Sequence, residues 1–177
     1  MFEKLKNETK VIVTGCQRSG TRIASKMIAY DLGLPYIDEL EYNIHSESDL
    51  LKILEKHDRF VLHAPNWVSM RLIPFAPIMQ SIFVVYVSRS PKDICRSMER
   101  INWAPKARTV LERLGVLNPE PWHMYALPTM IQMRWKHSIK PRLTKYLGIE
   151  YTDLKNHIMW IDKEDRKEFV WNQTKPL

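Results

Sequence analysis

The segment Gly15-Cys16-Gln17-Arg18-Ser19-Gly20-Thr21-Arg22 places two glycines, two guanidinium groups and two hydroxyls within eight positions. It follows a β-branched run, Lys10 to Gly15, that reads as a buried strand. It precedes Thr21 to Leu32, where Ile23, Met27, Ile28 and Leu32 fall at helical spacing. A strand, a tight loop and a helix start together form an anion site, because unpaired backbone N–H groups and the positive end of the helix dipole meet there. Gly15-x4-Gly20 has the spacing of the nucleotide phosphate loop, which continues with Lys and then Ser or Thr. Here Thr21 and Arg22 stand in those places, and Arg18 supplies a cation inside the loop. The same residues would also suit an ordinary strand-to-helix turn.

A second group lies further along, in Tyr86-Val87-Ser88-Arg89-Ser90-Pro91-Lys92-Asp93-Ile94-Cys95-Arg96-Ser97. It follows the most strand-like stretch of the chain, Ser81 to Ser88, and Pro91 suits the first turn of a helix. With the first loop, this group resembles the PAPS-dependent sulfotransferases (PAPS is 3′-phosphoadenosine-5′-phosphosulfate). Arg18, Ser19, Gly20 and Thr21 match that family's loop for the 5′-phosphosulfate, with Arg22 beside them. Arg89 and Ser97, eight residues apart, match its hold on the 3′-phosphate. The resemblance implies sulfuryl transfer from PAPS to a hydroxyl or amine of a small-molecule or carbohydrate acceptor. Adenosine 3′,5′-bisphosphate would be the product, and no metal would be needed. Arg18 would neutralise charge on the bridging oxygen as the sulfuryl group departs. Glu150-Tyr151-Thr152-Asp153-Leu154 looks like a late structural segment of the same family. Ile23 replaces an adenine-stacking aromatic, Arg166-Lys167 lacks the following glycine, and the chain is shorter than typical members.

Transfer to a hydroxyl needs a group to take its proton. Val61-Leu62-His63-Ala64-Pro65 sets His63 and Pro65 where the family has its basic histidine and proline, and a histidine can be neutral at pH 7. A lone histidine at a strand end is equally a hydrogen-bonded wall residue. The rival is Glu39, in the acidic Asp38-Glu39-Leu40-Glu41, where repulsion or burial would have to raise a carboxyl pKa. The other histidines, at 45, 57, 123, 137 and 157, read as surface residues.

The elements that must position these groups alternate. After the first strand and helix, Leu34 to Asp38 and Arg59 to His63 read as strands around a helix over Ser48 to His57. The segment from Ala104 to Tyr146 has a helical pattern broken by Gly115 and by prolines at 119, 121, 128 and 141. Gly148 is expected to end it, before a last strand at Ile149 to Thr152. The pattern predicts an α/β fold, a central mainly parallel sheet flanked by helices with a phosphate loop, in a single domain over residues 1–177.

Composition sets outer bounds. The chain has 27 Lys and Arg against 20 Asp and Glu, a charge of +7, which favours anionic partners without forming one polybasic run. Two cysteines exclude a disulfide framework, and no apolar run approaches a membrane span, so a cytoplasmic protein is expected. Six scattered tryptophans and no nucleic-acid motif argue against nucleic-acid binding. Trp67, Met70, Arg71, Trp103 and Trp122 fall in segments expected around an acceptor mouth. A P-loop small-molecule kinase is the alternative enzyme. It would predict a lysine after Gly20 and an acidic magnesium ligand at a strand end. A binding protein without catalysis is the other class.

Overall fold

The computed structural model describes residues 1–160 apart from 43, 45 and 70–76. Among these residues five strands form one sheet: β1 (Lys10–Gly15), β2 (Tyr36–Asp38), β3 (Phe60–His63), β4 (Phe83–Ser88) and β5 (Tyr146–Glu150). Their order is β2-β3-β1-β4-β5, and every pairing is parallel. The α/β class and the parallel sheet expected from the sequence are both present.

Among the described residues six α-helices connect and cover the sheet: α1 (Thr21–Leu32), α2 (Glu39–Tyr42), α3 (Glu47–Lys56), α4 (Pro91–Glu99), α5 (Ala104–Arg113) and α6 (Leu127–Arg134). Local chemistry fixes several ends. Gly33, left-handed at φ 59°, closes α1 by donating to Ala29 and Tyr30 carbonyls. Ser46 and Asp49 form a reciprocal capping box at the start of α3. Pro91 occupies the first turn of α4, where its missing N–H costs nothing.

The central strands are apolar on both faces because both are covered. Ile12, Leu62, Val84 and Tyr86 join a core with residues of α3, α4, α5 and α6. Val11, Val13, Val61, Val85 and Val87 join a second core under α1. This two-sided burial explains why β4 reads as a continuous apolar run. Two boundaries differ from the sequence reading. The last strand begins at Tyr146, so Gly148 lies inside β5 and ends no helix. The stretch after α6 continues as a π-turn, Trp135–Ile139, and a short 3-10 turn, Lys140–Arg142.

The strand order matters for function. From β1 the chain crosses to β2, returns through β3 beside β1, and then places β4 on the other side of β1. The loop after β1 therefore opens where connections diverge to opposite sides, the point at which open parallel sheets bind ligands.

Candidate anion-binding site

The loop after β1 is built on unusual backbone conformations. Arg18 has φ 70° and Gly20 has φ 96°, both in the left-handed region. The Ser19 N–H donates to the Cys16 carbonyl at 3.0 Å, which tightens the turn. The Ser19 hydroxyl is fully buried and has no hydrogen-bond partner within the described protein. Gly20 is packed from outside by Tyr151, since a β-carbon there would collide with the tyrosine ring.

Sequence-distant cations converge on this loop. Arg18 Nε–H donates to the Ser97 hydroxyl of α4 at 3.0 Å. Arg89, one residue beyond β4, donates from Nη1 to the Arg18 carbonyl at 3.1 Å. The Arg89 guanidinium lies over the Tyr151 ring at 4.3 Å, and Gln132 of α6 donates to its carbonyl at 3.1 Å. Burial lowers the Arg18 pKa, and repulsion from Arg100, Arg89 and Arg22 lowers it further. Among the described residues, neither Arg18 nor Arg89 has a carboxylate within ion-pair distance. Guanidinium groups held together without a carboxylate partner among the described residues have the charge and geometry to receive an anion.

Beside the loop lies a buried polar group of different character. Arg22 Nε stands 2.9 Å from Asp38 Oδ2, and its Nη2–H donates to Oδ1 at 3.2 Å. The Tyr36 hydroxyl donates to Asp38 Oδ2 at 2.6 Å and the Leu40 N–H to Oδ1 at 3.1 Å. Burial works to raise the Asp38 pKa, but His63, the Tyr36 hydroxyl and the Leu40 N–H outweigh it and hold the carboxyl below the usual carboxylate range. Burial beside this anion raises the Tyr36 pKa, so the phenol stays protonated. His63 is buried, with Nδ1 3.6 Å from Asp38 Oδ2 and Nε2 3.0 Å from the Thr21 hydroxyl. Burial lowers its pKa against the opposing pull of Asp38, and the ring is neutral at pH 7.

The structure thus brings Arg18, Ser19, Gly20, Thr21, Arg22, His63, Arg89 and Ser97 into one region. Glu39 begins α2, and the neighbouring Asp38 is the acid that holds Arg22 beside His63. The sequence reading passed over Asp38 and Tyr151. Asp38 had a signal, as the last residue of a strand. Trp67 and Trp103 are buried in the helical core, whereas Trp122 is exposed; Met70 and Arg71 lie outside the described residues. His157, expected at the surface, is buried against Asp31 at 3.0 Å. His45, the Arg166-Lys167 pair and the tail after Trp160 also lie outside the described residues. Among the described residues no cluster of His, Cys, Asp or Glu could hold a metal ion, and no helix is long and apolar enough to cross a membrane.

No protein-family model matches the sequence, and no curated protein matches it. Solved structures of similar fold include three kinases. A shikimate kinase from Bacteroides thetaiotaomicron superposes with a TM-score of 0.47 at 14% identity, over 79% of this chain and 85% of that one. A shikimate kinase from Acinetobacter baumannii in complex with shikimate gives 0.48 at 12%, over 98% and 99%. A gluconokinase from Sinorhizobium meliloti 1021 gives 0.39 at 14%, over 81% and 82%.

None of these three is a PAPS-dependent sulfotransferase. The family, the enzyme type and the PAPS cosubstrate expected from the two motifs are corrected on this finding. The geometry offers a physical reason. Arg18 was assigned to the 5′ end of PAPS and Arg89 with Ser97 to its 3′-phosphate. In the structure Arg18 bonds directly to Ser97 and receives Arg89 on its carbonyl, so the two assigned ends form a single cluster.

Proposed function

We propose that this chain binds a nucleoside triphosphate on the Gly15–Thr21 loop and transfers its terminal phosphoryl group to a small-molecule acceptor in the cytoplasm. The observation that carries the reading is the convergence of Arg18 and Arg89 on that loop, with no carboxylate partner among the described residues. Phosphoryl transfer asks little covalent chemistry of a protein. Its loose transition state spreads charge over the equatorial oxygens, and catalysis rests on positioning and charge stabilisation. Arg18 takes over the cationic role of the absent phosphate-loop lysine from within the loop, and Arg89 supports it across the β1–β4 seam. Arg22 stands where phosphate loops carry a magnesium-binding hydroxyl and is committed to Asp38. Magnesium therefore arrives with the nucleotide as part of the substrate.

Titration calorimetry tests this. ATP with magnesium is expected to bind more tightly than adenosine 3′,5′-bisphosphate. Arg18→Ala should weaken ATP by roughly 10- to 100-fold, the loss of a charge-assisted hydrogen bond to phosphate worth about 1.5–3 kcal/mol. Tighter, magnesium-independent binding of the bisphosphate, or an Arg18→Ala variant that binds ATP normally, would overturn the reading.

A further inference from the structure

We propose that His63 is a positioning residue that acts on the bound anion through Thr21, by fixing which way the threonine hydroxyl donates. The inference rests on the phosphate site proposed above and adds a role for the buried polar chain beside it. Thr21 opens α1 and His63 ends β3, and the two meet through Oγ1 and Nε2 at 3.0 Å. Both side chains are buried. With Nε2 on Thr21 and the ring enclosed, the route from His63 to the ligand runs through the loop.

The tautomer follows from the other side of the ring. Nδ1 is buried, has no hydrogen-bond partner, and faces Asp38 Oδ2 at 3.6 Å. A lone pair aimed at an ionised carboxylate is repelled, so the neutral ring carries its proton on Nδ1. Nε2 is then an acceptor, and the Thr21 hydroxyl donates to it. The charged groups facing the ring are Asp38 from β2 and Arg22 and Lys26 from α1. From β1, the residue in register is the apolar Val13. The Asp38–Arg22 pair fixes the carboxylate and so fixes the ring.

The consequence concerns the oxygen of Thr21. While His63 is neutral, that oxygen has spent its only proton on the ring and turns lone pairs toward the loop, which a phosphate oxygen repels. Once His63 is protonated, Nε2–H donates to Thr21, and the hydroxyl proton becomes free to donate to a phosphate oxygen. Anion binding should therefore strengthen as pH falls through the histidine pKa, and the effect should travel through one hydroxyl.

Two measurements separate this proposal from the reading it rests on. In the protein without ligand, long-range proton–nitrogen NMR of the imidazole should show the Nδ1–H tautomer. Asp38→Asn should shift it toward a mixture, and Thr21→Val should move the Nε2 resonance. An Nε2–H tautomer in the wild type would overturn the proposal whatever the ligand. Equilibrium binding of ATP, with inorganic pyrophosphate as a second probe, is then followed from pH 8 down to the acid limit of the fold, because burial lowers the His63 pKa, in the wild type and the Thr21→Val, Thr21→Ser, His63→Ala and His63→Gln variants. Wild type and Thr21→Ser should tighten several-fold toward low pH, and Thr21→Val should lose that slope. His63→Ala should abolish the slope and bind at least as tightly as the wild type at pH 8, because the Thr21 hydroxyl is freed to donate to the anion, and His63→Gln should likewise lose the pH dependence. A slope retained in Thr21→Val or in His63→Ala overturns the relay, as does a His63→Ala variant that binds more weakly than the wild type at pH 8. If ATP fails to bind while pyrophosphate shows the expected slopes, the kinase reading falls and the role of His63 stands. If neither anion binds the wild type, both fall.

Discussion

Asp38→Ala is expected to cost the fold roughly 3–5 kcal/mol, the usual result of breaking a largely buried ion pair by removing one partner. The variant strands three donors at once: the Arg22 guanidinium, the Tyr36 hydroxyl and the Leu40 N–H. Arg22 and Asp38 side chains are only 17% and 14% exposed, so water cannot replace the lost carboxylate cheaply. Chemical denaturation of the wild type and variant reads the loss directly. Adding Arg22→Met to Asp38→Ala should recover part of it, because much of the penalty is the uncompensated guanidinium. A single-variant loss under about 1 kcal/mol would mean that the pair behaves as an exposed surface bridge.

The same carboxylate sets an acid limit. Its folded pKa lies below its unfolded value of about 3.9, so the unfolded chain binds the proton first as pH falls. Its contribution is complete above that unfolded value and is lost as pH drops toward the folded one. Asp38→Asn should flatten the stability profile of the wild type in that acidic window.

How far the sequence shows this site differs residue by residue. The Gly15–Thr21 loop is legible because its signals are local: a β-branched run, two glycines and a helical period. β5 was misplaced because it is an edge strand with only Ile149 buried, leaving little alternation to see, while Gly148 imitates a helix stop. Asp38 was hidden among three acids in four residues. Only the β2–β3 register, which sets Asp38 opposite His63, decides which acid turns inward. The contact of Arg89 with the Arg18 carbonyl depends on β4 lying next to β1, a fact of topology that no window of sequence contains. The resemblance to sulfotransferases rested on residues that the structure brings into one region. Residue types that hold phosphate do not by themselves say which group the phosphate carries.

Gly15→Ala is expected to damage both the fold and anion binding. Gly15 is the last residue of β1, in register with Val87 of β4. A β-carbon there would lie 2.5 Å from the Val87 carbonyl oxygen, 2.9 Å from Ser19 Oγ and 3.1 Å from Thr21 Cγ2. The first contact is with backbone in the centre of the sheet, which cannot rotate aside as a side chain can. Relief requires β1 and β4 to part at their carboxyl ends, and that displaces the loop proposed to cradle the anion. Overpacking and backbone strain of this kind cost at least about 2 kcal/mol, and anion affinity should fall more than tenfold with it. Two other glycines calibrate the result. Gly148→Ala meets nothing within 4 Å and should leave both stability and binding near wild type. Gly33→Ala also meets nothing but sits at φ +59°, so it should cost only the left-handed conformation, about 1 kcal/mol, and spare the anion site. Thermal unfolding and pyrophosphate titration of the three variants would order them Gly15, Gly33, Gly148 in stability loss. A Gly15→Ala protein indistinguishable from Gly148→Ala would show that the β1–β4 seam yields without disturbing the loop, and that the close approach at Gly15 is not what shapes the site.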